Sequence, residues 1–505
     1  MRFVPANFPP PESRRTFPSA ALRRCRSSSM ILRVLLATIG LFLSANTLAQ
    51  QQGIPDFGEG NAVPLSQEYL LGRAWLMQFR RQAPILSDPQ LQEYTEGLVF
   101  RLAASSQLRE RRLEVVLVDA KSINAFAVPG GVVGVHNGLI LAAQNEAQLA
   151  SVLGHELAHL SQRHFSRSQE NAQKSQKMAL AGLLTGLVAV AAGGGDAGIA
   201  AIAGSQAASQ DAALRYSRLH EQEADRVGMQ NLVAAGMDPS GAAGMFEVMQ
   251  AESRKYGSRP PEFLMTHPLT EKRIADARNR AGQYPHRMYE DNPDFQLMRA
   301  RVELSFIEDP VEAVAHFRKR RKETRGPEAV AAQYGLILAL TENGEFAEAR
   351  ELLKPMRDFK PANLSYALAE TEIDLQQERF EEAITKLRRG LEIMPGNHPV
   401  TIQLGKTYYK AGRYTEADAL LKAHAKRKPT NATLWYWLAE IQGLAGDRFG
   451  LHQSRAEYFF LNGAMKAALE QLNLALKLAP DNVTVERINE RMAFFQAVGR
   501  ALGQF

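Results

Sequence analysis

Two histidines and a glutamate stand close together in the segment His155-Glu156-Leu157-Ala158-His159. On a helix, residues four apart lie on one face, one turn from each other, so both imidazoles can reach a single metal ion. Histidine nitrogens are common zinc ligands, and a neighbouring carboxylate can take a proton from water that the metal acidifies. The segment therefore predicts a metal-assisted hydrolase, with His155 and His159 as zinc ligands and Glu156 as general base. The structural alternative is a pair of core or surface histidines.

A catalytic zinc ion needs a third protein ligand and an open position. An acidic stretch supplies candidates within a predicted helix over 214–235. Glu221 and Asp225 share a helix face, whereas Glu223 is turned by about 200° and is predicted to be solvated. We expect Glu221 to bind zinc and Asp225 to accept a hydrogen bond from the N–H of a ligand histidine. The alternative is a solvent-facing acidic stripe.

The elements that must position these groups follow from sequence periodicity. Helical apolar spacing predicts helices over 67–79 and 91–104. A strand is expected over 113–118, and 125–135 reads as two strands joined by a Pro-Gly-Gly turn. Asn145 is the expected N-cap of the helix that carries the paired histidines, with glutamine three residues later at the capping-box position.

The second half of the chain repeats with a period of 34 residues. The recurring positions are Pro327, Pro361, Pro395 and Pro429, Phe346, Phe380 and Tyr414, and Ala349, Ala383 and Ala417. Ala468 and Pro480 keep the 12-residue interval from alanine to proline, but Ala468 stands 51 residues after Ala417 and not 34. An extra half-unit of 17 residues is therefore expected. Such a period is typical of tetratricopeptide repeats, in which helix pairs stack into a curved solenoid.

The excess of basic residues lies at the start of the sequence. Residues 1–49 hold seven arginines and one acidic residue, so the remaining chain, with 53 basic and 53 acidic residues, is neutral. After residue 49 the chain has no excess of basic residues of the kind that binds nucleic acid, and we expect no nucleic-acid partner.

Residues 30–49 predict an export signal. Arg33 precedes a short apolar run, and small residues end the segment at Ala49, where cleavage is expected. Met30 is an alternative start, and an uncleaved anchor is the alternative function of the segment. Cys25 is the only cysteine, so the mature chain would contain no thiol or disulfide.

Several further segments set the predicted organisation. Residues 178–208 are apolar and interrupted by glycines; a buried or lid-forming helical hairpin near the active site is expected, with peripheral membrane contact as the alternative. The predicted divisions are an extension and signal peptide over 1–49, a linker over 50–64, a zinc metallopeptidase domain over 65–290, a repeat domain over 291–490 and a C-terminal helix or tail over 491–505.

A family resemblance joins these motifs. The His-Glu-Leu-Ala-His segment, the pattern Ser-Arg-x-x-Glu-x-Glu-Ala-Asp-Arg over 217–226, and residues 124–131 and 265–268 together resemble the metallopeptidase family of the CAAX prenyl protease and the heat-shock membrane protease. With a signal peptide and repeats, the chain is similar to periplasmic members that act in β-barrel assembly. The resemblance implies His155, His159 and Glu221 as ligands of one zinc ion per chain, and Glu156 as base.

The resemblance also implies that His267 approaches the metal. It is either a fourth ligand that holds the enzyme silent or a catalytic donor that stabilises the oxyanion. His164, five residues after His159, is predicted to face elsewhere on the helix as a structural or solvated residue. The strand at 124–128 is predicted to hold an extended substrate along its edge, with an ordinary sheet strand as the alternative.

The predicted fold class is α+β, mainly α: a zincin-like metallopeptidase domain with a small sheet and the histidine-bearing helix, followed by an α-solenoid. The resemblance implies unfolded or misassembled outer-membrane β-barrel proteins as clients, and barrel-assembly machinery as a partner of the repeats. One alternative function is a chaperone or assembly scaffold with a mostly silent protease site. Another, an integral-membrane protease, needs several apolar spans of about 20 residues, and the sequence after Ala49 has none.

Overall fold

The protein is described here by a computed structural model. The residues that it describes are 64–172, 218–256, 261–285 and 288–501. The predicted signal peptide, almost all of the linker, the apolar segment 178–208 and the start of the 214–235 helix lie outside these residues.

The first part of the chain combines helices with a small sheet, as the sequence patterns predicted. Its elements are α1 (Leu65–Gln82), α2 (Pro89–Ala104), β1 (Glu114–Val118), β2 (Ala125–Val128), β3 (Val132–His136), α3 (Asn137–Ala142), α4 (Glu146–Ser161), α5 (His164–Ala172), α6 (Arg218–Ala234), α7 (Ser240–Tyr256), α8 (Glu262–Thr266) and α9 (Glu271–Ala281). The predicted strands over 113–118 and 125–135 and the predicted helices over 67–79 and 91–104 are confirmed within a few residues.

The three strands form one sheet in the order β1-β3-β2. Strand β1 runs parallel to β3, and β2 runs antiparallel to it with Val128 paired to Val132. The tight turn between β2 and β3 places Gly130 and Gly131 at φ of 86° and 83°, a region that favours glycine. Strand β2 therefore lies at one edge of the described sheet.

Helix α4 begins at the predicted cap. The Asn145 side chain accepts a hydrogen bond from the Gln148 backbone N–H at 2.9 Å. The Gln148 side chain reaches back one residue further than a capping box requires and accepts from the Gln144 N–H at 2.8 Å. Leu149, Leu153 and Leu157 are fully buried on one face of the helix, so apolar packing fixes which way the histidines point.

The second part of the chain consists of consecutive helices. They are α10 (Pro293–Ser305), α11 (Pro310–Glu323), α12 (Gly326–Glu342), α13 (Phe346–Phe359), α14 (Leu364–Gln376), α15 (Phe380–Ile393), α16 (His398–Lys410), α17 (Tyr414–Arg427), α18 (Ala432–Leu444), α19 (Arg448–Leu461), α20 (Met465–Leu476) and α21 (Asn482–Ala501). Each of the described helices falls short of the combined length and apolarity that a bilayer crossing requires.

The extra half-unit is a single helix. Ala417 and Ala468 are each the fourth residue of a helix, α17 and α20, and both are fully buried. Two helices, α18 and α19, separate them, whereas one helix separates the alanine-bearing helices of the earlier units. One added helix therefore accounts for the 51-residue interval.

The helical repeats pack directly against the first part of the chain. Arg301 in α10 contacts Asp88, the N-cap of α2, at 2.6 Å, and Lys428 after α17 contacts Glu96 in α2 at 2.6 Å. Buried Glu146 in the first turn of α4 accepts from the Asn292 side chain at 2.8 Å. The start of the histidine-bearing helix is thus held by the first repeat helix.

Candidate metal centre

Helices α4 and α6 cross at two glycines. A Cβ atom on Gly154 would lie 3.1 Å from the Gly228 carbonyl oxygen, and one on Gly228 would lie 2.9 Å from the His155 backbone nitrogen. Glycine at these positions allows the close approach of the two backbones, and the Gly228 contact leaves no room for a Cβ atom without a shift of the helix. The crossing brings the histidine face of α4 over the Glu221 end of α6.

Four buried side chains converge beside this crossing. The Nε2 atoms of His155 and His159 are 3.0 Å apart. Glu221 places one carboxylate oxygen 3.5 Å from His155 Nε2 and the other 3.5 Å from His159 Nε2. Together with a nitrogen of His267, these donor atoms all lie within 4.8 Å of one another. The structure thus brings the sequence-predicted ligands together from three separate segments.

His267 follows the short helix α8. Its Nδ1 atom lies 3.0 Å from Glu221 Oε1 and 3.4 Å from His155 Nε2, while its Nε2 atom lies 3.5 Å from Glu156 Oε1. The Phe263 ring stacks on it at 4.6 Å. The Phe263 backbone N–H donates to the Ile123 carbonyl at 3.2 Å, which ties the His267 segment to the residues just before β2.

The donor set fits a small divalent cation. Imidazole nitrogens and one carboxylate oxygen are ordinary zinc ligands, with metal–ligand distances that give a tetrahedron edge of about 3.3 Å. The five separations given above between pairs of these atoms are 3.0–3.5 Å, and all the donor atoms lie within 4.8 Å of one another. These buried atoms can therefore hold one tetrahedral cation without large rearrangement.

Glu156 lies between the donor group and the edge strand. It is almost fully buried, and burial raises the pKa of its carboxyl, while the nearby charges of His267 and His155 oppose the rise. The backbone N–H of Ala127 in β2 donates to this carboxylate. The carboxylate is thus held next to both the donor atoms and strand β2.

Asp225 and Arg273 support the first histidine. Asp225 Oδ1 lies 3.0 Å from His155 Nδ1, and Arg273 donates to both Asp225 oxygens at 2.7 Å. Burial alone would raise the pKa of Asp225, but hydrogen bonds from His155 and Arg273 bring it below its ordinary value. Arg273 Nη1 also lies 2.9 Å from Glu221 Oε2. The guanidinium therefore orients two carboxylates of the centre.

Sequence reasoning missed Arg273 and the glycine crossing. Arg273 stands in the first turn of α9, capped by Thr270, and nothing local distinguishes it from a surface arginine. Its proximity to the His267 motif, six residues away, was the available signal. Gly154 immediately precedes His155, and a glycine inside a helix indicates a close packing contact.

The prediction that His164 faces elsewhere on the same helix is wrong, whereas a structural role, one of the two predicted alternatives, agrees with its burial. The ring is fully buried, and its Nδ1 atom lies 2.8 Å from His159 Nδ1. Helix α4 ends at Ser161, Arg163 turns the chain with φ of 52°, and α5 begins at His164. His164 is therefore not on the same helix as His159, and its direction cannot be read from helical spacing. Burial lowers the pKa of His164 to about 4; Glu223 opposes this shift, and the charges of His220 and Arg167 add to it.

The prediction that Glu223 is solvated is also wrong. Its carboxylate lies 3.2 Å from His164 Nε2 and accepts from Arg167 Nη1 at 2.8 Å, and its side chain is only 26% exposed. Although Glu223 turns away from Glu221 on α6, helix α5 packs against that side. Glu223 is therefore part of the hydrogen-bonded surroundings of the centre.

Comparison with known proteins agrees with this architecture. The sequence profile of Peptidase family M48 matches residues 88–281, and tetratricopeptide repeat profiles match residues 295–363 and 374–441. The predicted fold class, a mainly helical metallopeptidase with a small sheet followed by repeats, is confirmed. The prediction of a metallopeptidase is confirmed as well.

Individual relatives extend the match along most of the chain. The beta-barrel assembly-enhancing protease of Escherichia coli K12 is 33% identical over 424 residues, which is 84% of this chain and 86% of that protein. The protein of the same name in Yersinia pestis is 31% identical over 483 residues, 92% of this chain and 99% of that protein. A mitochondrial metalloendopeptidase of Schizosaccharomyces pombe is 30% identical over 181 residues, 36% of this chain and half of that protein. The chain therefore belongs to the family of the beta-barrel assembly-enhancing proteases, as a metallopeptidase of family M48 followed by tetratricopeptide repeats.

Proposed function

We propose that the protein is an exported zinc endopeptidase of the periplasm that acts in quality control of outer-membrane β-barrel proteins. Its substrates are unfolded or misassembled barrel proteins, and its repeats bind these clients or the barrel-assembly machinery. The observation that carries the proposal is the convergence of His155, His159, Glu221 and His267 with Glu156 at their side. The names of the relatives support the connection to barrel assembly.

The proposed roles follow from the donor chemistry. His155, His159 and Glu221 hold the zinc ion. When bound, the ion would polarise the scissile carbonyl and acidify a water molecule. Glu156 would act as the general base and would later pass the proton to the leaving amine. The Ala127 N–H donates to the Glu156 carboxylate and keeps it oriented for both transfers.

Substrate selection is proposed to start at strand β2. This strand is an edge of the described sheet, and its Ala127 N–H already faces Glu156. An extended peptide added alongside β2 would bond through its backbone, with little demand on its side chains. Folded proteins would be poor substrates because a free extended strand must enter.

A second candidate function is a chaperone or scaffold with a mostly silent protease site. The observation that favours it is the His267 ring, whose Nδ1 atom faces Glu221 Oε1 at 3.0 Å and completes the donor group. A zinc ion held by four protein side chains lacks the open position that catalytic sites keep. We propose His267 as a removable fourth ligand, so that both functions belong to one protein.

The test uses the mature protein and an unfolded barrel protein. Glu156→Gln keeps the size of the side chain and removes its basicity, so cleavage should be lost while client binding and zinc content remain. Glu247→Gln is the matched control. Glu247 forms an exposed ion pair with Arg278, 2.7 Å long, and this pair does not belong to the centre. Retained cleavage by Glu156→Gln would disprove the role of Glu156. A purified protein without stoichiometric zinc, or one whose zinc survives His155→Ala, would disprove the proposed centre.

Several finer assignments remain part of the proposal. They are the closer kinship with the CAAX prenyl protease and the heat-shock membrane protease, export with cleavage near Ala49, and the role of 178–208 as a buried or lid-forming hairpin or as a peripheral membrane contact. The domain limits at 65–290, 291–490 and 491–505 stay predictions too. Mass spectrometry of the N-terminal peptide of the protein, purified from a cell-envelope fraction, tests export and cleavage near Ala49.

A further inference from the structure

We infer that His164 and Glu223 are positioning residues for His159, the second imidazole of the proposed zinc centre. The inference rests on the proposed function, because it concerns how one zinc ligand is oriented. Neither residue contacts the converging donor atoms directly. Their effect passes through the His159 ring.

The contacts form a continuous series. His164 Nδ1 lies 2.8 Å from His159 Nδ1, and His164 Nε2 lies 3.2 Å from Glu223 Oε2. Arg167 Nη1 donates to the same Glu223 oxygen at 2.8 Å. His159 and His164 are both buried, so the bond between them forms away from bulk water, whereas the Arg167–Glu223 bond is exposed. The series ends on a carboxylate that an arginine neutralises.

Donor and acceptor roles along the series follow from imidazole chemistry. A ring that offers the Nε2 lone pair to a cation carries its proton on Nδ1. His159 Nδ1–H must therefore donate, and His164 Nδ1 must accept. His164 then carries its proton on Nε2 and donates it to Glu223. A single arrangement of protons satisfies all three groups and sets the tautomer of His159.

The other ligand histidine is supported in a parallel way. His155 Nδ1 faces Asp225 Oδ1 at 3.0 Å, and Arg273 holds that carboxylate. Ligand histidines usually donate their second N–H to such a partner, which orients the ring and raises its basicity. For His159 the carboxylate is one imidazole further away. His164 bridges that gap.

The position of the His164 ring is fixed on two further sides. Arg163, in the left-handed region at φ of 52°, donates to buried Glu68 at 2.7 Å and holds the turn that begins α5. The His220 ring stacks on His164 with centroids 4.4 Å apart and planes 11° from parallel. The ring therefore cannot swing freely away from His159.

The experiment measures zinc affinity of the full chain by competition with a chelator, and the visible spectrum of the cobalt-substituted protein. His164→Ala should weaken zinc binding roughly 10- to 100-fold, the range found when outer partners of ligand histidines are lost. His164→Asn keeps an acceptor near the Nδ1 position, so it should recover part of the affinity. A cobalt spectrum altered in His164→Ala and restored towards wild type in His164→Asn supports orientation of the ligand.

A matched control separates positioning from general destabilisation. His398 and His424 form another buried His–His hydrogen bond, also 2.8 Å long, in the repeats. His398→Ala should lower the unfolding temperature and leave zinc affinity and the cobalt spectrum unchanged. If His398→Ala weakens zinc binding as much as His164→Ala does, the inference is overturned.

Other outcomes are equally decisive. Wild-type zinc affinity in folded His164→Ala, or equal losses in His164→Asn and His164→Ala, overturns the inference while the zinc centre stands. If His164→Ala does not fold, Glu223→Ala replaces it, and unchanged zinc affinity in that variant overturns the inference. A wild-type protein that binds no zinc overturns the proposed function together with this inference.

Discussion

Gly228 in α6 lies directly against the backbone of His155 in α4, so that a Cβ atom at position 228 would be 2.9 Å from the His155 nitrogen. The atoms on the other side of this contact are backbone atoms of a helix, which cannot rotate away as a flexible side chain can. The separation of the two helices, and with it the distance from Glu221 to the paired imidazoles, depends on the absence of a side chain here.

Gly228→Ala should therefore push α6 away from α4. Overpacking at a rigid contact costs about 1–3 kcal/mol of stability, and zinc affinity should fall because Glu221 moves with α6. Gly97→Ala is the control, because Gly97 is an exposed position inside α2 with nothing within 4 Å of its added Cβ. Thermal unfolding and chelator competition compare the two variants. Wild-type zinc affinity in Gly228→Ala would contradict the packing argument.

Arg273 should be irreplaceable by lysine. The guanidinium donates to both oxygens of Asp225 and contacts Glu221, whereas an ammonium cannot form the two parallel bonds. Arg273→Lys should weaken zinc binding by roughly 10-fold or more, as expected when the partners of metal ligands are disturbed. Arg278→Lys, on the exposed side of the same helix, should bind zinc normally. Equal zinc affinities in the two lysine variants would refute the assigned role.

His267→Ala distinguishes the two roles proposed for this histidine. Because Nδ1 faces the other donor atoms, its removal should open one position and increase cleavage of an unfolded barrel protein. The double variant with Glu156→Gln should be inactive, which shows that the added cleavage comes from the same site. A drop in cleavage in the single variant would instead favour stabilisation of the oxyanion.

The buried pair His398 and His424 should make stability depend on pH. Burial, with the Lys428 charge adding to it, lowers the pKa of His398 to about 3 and that of His424 to about 4, whereas both are near 6.5 when unfolded. The unfolded chain binds more protons below about pH 6.5, so stability is complete above that value and falls on acidification. At about pH 5 the loss is about 2 kcal/mol for each ring.

Thermal unfolding at about pH 7.5 and about pH 5 measures this dependence. The double variant His398→Asn with His424→Gln places amides near the two bonded nitrogens and removes their titration. The decrease in unfolding temperature on acidification should be smaller in this variant than in the wild type. An unchanged decrease would mean that other groups cause the acid sensitivity.

Local signals predicted much of the fold. The Asn145 cap, the Pro-Gly-Gly turn and the 34-residue spacing each depend on residues close in sequence, and each structure forms where expected. Local reasoning failed at His164 because one left-handed residue, Arg163, redirects the chain between two helices. It failed at Glu223 because the residues that cover this side chain come from α5, which an isolated helix pattern does not include.

The amino-acid sequence by itself determined that His155 and His159 share a helix face, since their four-residue spacing and the apolar stripe are properties of one helix. Only the tertiary structure decided which groups meet them. Glu221, His267 and Arg273 reach the imidazoles through the glycine crossing and the contacts of α8 and α9. Such contacts depend on the packing of distant segments, for which spacing within one segment carries no information.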